Sequence, residues 1–432
     1  MTESVLLFQR HVYRSVLPNG LVVLATENAT ADIVSARIFV RVGSLWERPE
    51  QAGLSHLMAG VMTRGTDRFS SQEIAEQVES VGASLSADAG TDYFLLSLKT
   101  VAADFPDIFN LAAQVLRSPT FPDAELELER RLTIQSICSQ QEQPFAIAME
   151  QLRHLLYQNH PYALSSLGTE ATVAQLSRVD LQAHHQTYFR PDNIVVSVVG
   201  RLDPAAATAL VERVLGDWQA PATALPTLTL PPIAPQPGSA RTPQDTQQSI
   251  VMVGYPAPSV SHEKQVTSEP GAYSALKLLN IYLGNGLSSR LFVELREKRG
   301  LAYEVSAMYP TRLAESYFAA YMGTAPENTS IALNGLQQEI DRLCTTLLTP
   351  EELQAAKNKL LGQYALGKQT NSQIAQALGW YEVLGLGIEF DTQFQDGINA
   401  VTAESAQAVA RQFFTTPPCI SLVGPAEAIG KP

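Results

Sequence analysis

Arg296 and Tyr303 stand seven positions apart in the run LSSRLFVELREKRGLAYEVSAMY, from Leu287 to Tyr309. A guanidinium fork and a phenol are both hydrogen-bond donors; on the pattern alone they read as a solvated arginine at a helix end and a packed tyrosine. Upstream, residues 51–66 read QAGLSHLMAGVMTRGT, with His56 four positions before Gly60. Two histidines at that spacing share a helix face and can grip one metal ion. Here the second position has no side chain, and Ala59 beside it has no titratable group. A site rebuilt from His154, His160, His184 or His185 is not expected. Cys138, Cys344 and Cys419 lie far apart with no CxxC spacing, so three free, mostly buried thiols are expected.

These residues need elements to hold them. A helix is expected from about Gly53 to Thr63, with a second from Ser71 to Val81. Two alternating apolar runs, Leu21 to Thr26 and Ile33 to Val42, precede them and read as strands. A strand from Tyr93 to Lys99 follows, then helices from Ala103 to Leu116 and from Asp123 to about Gln140. For Arg296, a helix is expected from Ser288 to Arg299, capped by Ser288 or Ser289. A stripe of Leu287, Leu291 and Leu295 would face the core, with Gly300 as the stop. Tyr303 would enter the following strand, Ala302 to Tyr309.

The chain reads as a duplication. Seven prolines between Trp218 and Gln244 favour a stiff, extended connector. On either side, strands are followed by helices, and the halves end alike, in IVVSVVG and CISLVG. The expected fold is α+β, with two tandem homologous halves, each an antiparallel or mixed sheet covered by helices. The expected boundaries are 1–217 and 247–432, joined by the Pro-rich linker 218–246.

The residues around His56 resemble the pitrilysin-like, or inverzincin, zinc peptidases, whose signature is H-x-x-E-H on a helix. Gly53, Leu54, His56, Gly65 and Thr66 fall in register with that setting. LPNGLVV, His160-Pro161-Tyr162 and LREKRGLAY extend the likeness over essentially the whole chain. The resemblance implies that Ala59 replaces the general base and Gly60 the second zinc histidine. It places Gln135 and Ser136, in the helix that contains Glu129 and Arg130, where two glutamates stand, Ser136 replacing the distal ligand. Loss of the base alone costs on the order of 10²–10⁴ in rate. It further implies that Arg296 and Tyr303 bind the peptide carbonyl next to the scissile bond. Some members of the family, the mitochondrial processing peptidase among them, divide the work between a zinc chain and a chain with a broken motif. The long glycine-rich loop of the non-catalytic processing-peptidase chain is here only Gly284-Asn285-Gly286.

The 432 residues, 45% hydrophobic and 17% charged, have globular composition. A net charge of −13 disfavours nucleic-acid binding. With no apolar span of about 20 residues and no signal segment, a cytoplasmic, membrane-free protein is expected. The expected function is the substrate-binding, non-catalytic subunit of a heterodimeric zinc endopeptidase. No cofactor is expected in this chain; zinc would sit in a homologous partner chain, and the substrate would be a peptide. A homodimer is conceivable for the chain alone. The alternatives are a structural scaffold with no part in proteolysis, and an autonomous peptidase, which Ala59, Gly60 and Ser136 make difficult.

Overall fold

The computed structural model describes residues 2–7, 10–261 and 271–430. The chain forms two compact units, each built on one sheet.

The first unit's sheet contains β1 (Thr2–Leu7), β2 (Arg10–Val16), β3 (Val22–Glu27), β4 (Ile33–Val40), β5 (Ser84–Ala89), β6 (Phe94–Val101) and β7 (Ile194–Gly200). Its order is β1-β2-β3-β7-β4-β6-β5, with only the β3–β7 pair parallel. The second sheet contains β8 (Gly238–Pro243), β9 (Ser249–Ala257), β10 (Ala302–Met308), β11 (Ser316–Thr324) and β12 (Cys419–Gly424). Its order is β10-β11-β9-β12-β8, with only β12–β8 parallel. Read from the parallel pair outward, β3-β7-β4-β6-β5 and β8-β12-β9-β11-β10 are the same path. The near-copies IVVSVVG and CISLVG hold the same place in each sheet, so the tandem α+β halves expected from sequence are present.

Five helices of the first half carry the argument below: α1 (Leu54–Met62), α2 (Ser71–Glu79), α3 (Phe105–Arg117), α4 (Asp123–Gln141) and α5 (Pro144–Tyr157). Leu57, Met58 and Val61 of α1, and Ile108, Phe109 and Ala112 of α3, pack with Val34, Ala36, Ile38 and Val40 of β4. The opposite face of that sheet is also covered. Phe39, Val195 and Leu24 pack there against Ile374, Ala375 and Leu378 of the helix Asn371–Val383. A sheet buried on both faces has near-continuous apolar strands, and every residue of β7 is buried.

The units do not follow the linear division of the sequence. Residues 138–164 belong to the second unit and residues 366–392 to the first. Thus α5 packs on β8, β9 and β12, while the helix Asn371–Val383 packs on β4 and β7. Each half lends one helix to the other half's sheet. Polar bonds fix both loans. Asn371 donates to the Ile33 carbonyl at 2.8 Å, and Arg14 binds the buried Glu382 through two bonds of 2.8 and 3.0 Å. Ser421 donates to Gln151 of α5 at 2.7 Å. Within the expected connector, Gly238–Pro243 forms the edge strand β8, a place that tolerates Pro243.

Candidate functional site

α1 begins from Gly53, whose φ of +97° is open to glycine and strained for other residues. The helix start is held by Glu47. Its carboxylate, buried, accepts from the backbone N–H groups of Gly53 at 2.9 Å and Ser55 at 2.7 Å. Burial pushes this carboxyl up to about 7, against the two N–H bonds that pull it down. Side chains at 57, 58, 61 and 62 go to the core. That fixes the rotation of α1 and leaves His56 and Gly60, one turn apart, half-buried on the remaining face.

What meets that face is Glu129 of α4. A Cβ built on Gly60 would stand 2.3 Å from the Glu129 carboxyl carbon and 2.6 Å from its Oε1. The Glu129 side chain occupies the room that any side chain at position 60 would need. Its charge reaches His56 as well, raising a pKa that burial, the larger effect, holds below the ordinary imidazole value. Ala59 is buried and offers no base. Ser136 lies seven residues beyond Glu129, two helical turns or about 10 Å along the same stripe of α4. It is exposed and donates to its own helix, to the Leu132 carbonyl at 2.9 Å. Gln135 beside it is exposed too.

A zinc ion needs three protein donors and an open position in a catalytic site. This face supplies one imidazole and one carboxylate, with the place of the second histidine filled by carbon. Among the described residues no group of three or more His, Cys, Asp or Glu side chains is gathered to hold a metal. The residues present do not fit a catalytic zinc. The other histidines stand apart from this face. His160 accepts from the Tyr162 N–H at 3.1 Å, His185 bonds the Leu116 carbonyl at 2.8 Å, and His184 is half-buried beside the Tyr188 ring, desolvation pushing its pKa down to about 4. His154 lies one turn from Glu150, 3.8 Å away, a carboxylate neighbour that reading the sequence overlooked. The sequence signal for Glu129 is its seven-residue spacing from Ser136, which puts both on one stripe of α4.

The second unit carries Arg296 and Tyr303, each on an irregular piece of backbone. The helix expected at Ser288–Arg299 starts later, and Phe292–Lys298 is a π-helix. Leu291 and Leu295 are fully buried, but Leu287 is 75% exposed and lies ahead of the helix, off the expected core stripe. The Ser289 hydroxyl is buried without a partner among the described residues and caps nothing. Gly300, at φ +63°, ends the helix as expected, with its N–H on the Arg296 carbonyl and the Leu301 N–H on that of Leu295. The Arg296 guanidinium lies 4.9 Å over the Phe292 ring and is exposed. Tyr303 is the extra residue of a β-bulge. Ala302 faces Thr324 and Glu304 faces Gly323, with Tyr303 unmatched between them on the edge strand β10. It is 63% exposed. π-turns and bulges each insert one residue and re-aim a side chain, and both are enriched at functional sites.

Comparison with known proteins matches two family models in tandem. Residues 22–170 match the model described as insulinase, peptidase family M16, and residues 175–360 the model described as peptidase M16 inactive domain. An uncharacterized zinc protease of Bacillus subtilis, YmxG, is 26% identical over 96% of this chain and 98% of its own length. One from Mycobacterium tuberculosis is 26% identical over 95% and 93%. A crystal structure described as the peptidase M16 inactive domain from Pseudomonas fluorescens superposes with a TM-score of 0.87 at 25% identity, covering 98% of this chain and all of its own. A Helicobacter pylori protease reaches the same TM-score at 21% identity. No helix among the described residues is long and apolar enough to cross a membrane. The two family matches together span most of the sequence, and the chain belongs to peptidase family M16.

Proposed function

We propose that this chain is a non-catalytic, substrate-binding subunit of a zinc endopeptidase whose metal and general base reside in a homologous partner chain. The contact between Gly60 and Glu129 carries the reading. A helix with one imidazole, a buried methyl at the base position and a carboxylate packed on its glycine does not hold zinc or activate water. Arg296 and Tyr303 then have a reason to stay exposed. Their guanidinium and phenol donate to a backbone carbonyl of an extended peptide, and neither is consumed by a contact that the fold requires. The substrate is a peptide or an unfolded segment, recognised mainly through its backbone.

The test is reconstitution. The purified chain alone is assayed for zinc content and for cleavage of an unfolded peptide, then mixed with candidate M16 chains that carry an intact H-x-x-E-H. Cleavage on mixing only, with zinc in the partner, is the expected result. Zinc-dependent cleavage by this chain alone overturns it. Full activity of the mixture after loss of both Arg296 and Tyr303 side chains favours the scaffold reading instead.

A further inference from the structure

Arg296 is exposed in a chain rich in acids, yet among the described residues no carboxylate pairs with it. Glu294 of the same helix is engaged elsewhere, with Lys298 at 2.8 Å and Arg290 at 3.3 Å. What meets the guanidinium is carbon. Its Cζ stands 4.9 Å over the Phe292 ring, four residues back along the π-helix. The ring is itself held. Phe292 is half-buried, and Leu291 beside it and Leu295 three residues on are fully buried, which sets the rotation of the helix.

The kind of contact matters. A carboxylate would take the N–H donors of the guanidinium fork and offset its charge. An aromatic face attracts the cation through its π-electrons and offers no conventional acceptor, so the N–H groups stay free. A long side chain with no neighbour loses rotamer freedom when a ligand orders it, and that loss weakens binding. A ring against the guanidinium restricts the rotamers before the ligand arrives.

We propose that Phe292 is a positioning residue, whose ring holds the Arg296 guanidinium in place, with its donors unspent, for a carbonyl of the bound peptide. The proposal rests on the substrate-binding role of Arg296 given above. Phe292 acts through Arg296 alone and makes no contact with the peptide.

The full chain is mixed with a homologous chain that carries an intact H-x-x-E-H, and cleavage of an unfolded peptide is followed. Phe292→Leu keeps an apolar side chain and removes the ring. It should lower kcat/KM about two- to fivefold, the weight of one exposed cation–π contact. Phe292→Tyr keeps the ring and should restore the rate. In an Arg296→Ala background, Phe292→Leu should cost nothing further. Should Phe292→Leu fail to fold, Phe292→Met carries the same expectation. In the chain alone, with isotope-labelled arginine, the Arg296 Nε–H resonance should shift in the leucine variant, as the ring current is lost, and stay near wild type in the tyrosine variant. An undiminished rate or an unmoved resonance in the folded leucine variant, or a loss that persists without the Arg296 side chain, overturns the proposal and leaves the role of Arg296 standing. If Arg296→Ala itself costs nothing, the substrate-binding reading fails and this proposal falls with it.

Discussion

The Glu129 carboxyl group fills the space where a side chain on Gly60 would begin, 2.3 Å from an added Cβ. Glycine inside a helix costs about 0.5–1 kcal/mol relative to alanine. Gly60→Ala should therefore stabilise α1 if nothing opposed it, but the methyl must first displace Glu129. The two changes should be strongly non-additive. Gly60→Ala alone is expected to be neutral or destabilising, and in a Glu129→Ala background it should stabilise by about 0.5–1 kcal/mol. Chemical denaturation of the four proteins closes the cycle. Additive effects would mean that the two residues do not touch.

A pH-dependent stability term should come from Glu47. Its carboxyl, ordinarily at 4.5, stands at about 7 in the fold because burial disfavours the charge. The native state therefore keeps a proton that the unfolded chain has released between these values. Stability from this group is full below about pH 4.5 and is lost as pH rises through about 7. Glu47→Gln should flatten the difference in that window, visible as unfolding midpoints that diverge from wild type toward low pH. Glu47→Ala strands the Gly53 and Ser55 N–H groups and should cost on the order of 1–3 kcal/mol at any pH. Parallel pH profiles for wild type and the glutamine variant would refute the assignment.

Much of this architecture was legible in the residues, and the omissions have physical causes. Strands such as β3, β4, β7 and β11 stood out as apolar runs, and the paired endings announced the repeat. β5, SLSADA, did not, because an edge strand with alternating exposed and half-buried positions has little apolar signal. The exchanged helices were also hidden. α5 and Asn371–Val383 bury faces against strands that lie far away in sequence, and local periodicity does not name the partner. At the site, the missing ligands were plain at Ala59 and Gly60. The π-turn and the bulge were not, since each is a single inserted residue, smaller than the uncertainty of a helix or strand boundary. Leu287 shows the same limit: its spacing from Leu291 suited a core stripe, but the helix had not yet begun.

Arg296 and Tyr303 give the clearest separation of binding from scaffolding. Both are exposed, so Arg296→Ala and Tyr303→Phe should leave the free energy of unfolding within about 0.5 kcal/mol of wild type. In a reconstituted enzyme each should lower kcat/KM, by about 10²–10³ if its donor meets a developing oxyanion. A rise in KM at constant kcat would instead assign it to uniform peptide binding. Unaltered kinetics in both variants would remove the pair from the mechanism.

The loan of the helix Asn371–Val383 to the first half's sheet brings Gly379 against Phe39. A Cβ on the glycine would stand 2.2 Å from Cε2 and 2.6 Å from Cδ2 of Phe39. Phe39 is fully buried, with Tyr93 packed on it at a ring separation of 5.2 Å, so it has little room to yield. Unlike Glu129 at Gly60, this neighbour is rigid, and the helix propensity gained by alanine is outweighed by overpacking. Gly379→Ala should cost about 1–3 kcal/mol. The loss should be recovered in part by Phe39→Leu, which alone leaves a cavity and is destabilising. Because the two residues are 340 positions apart, this rescue reports the pairing of the borrowed helix with β4. Unfolding measurements in which Gly379→Ala is harmless, or in which Phe39→Leu adds its full cost on top, would place that helix elsewhere.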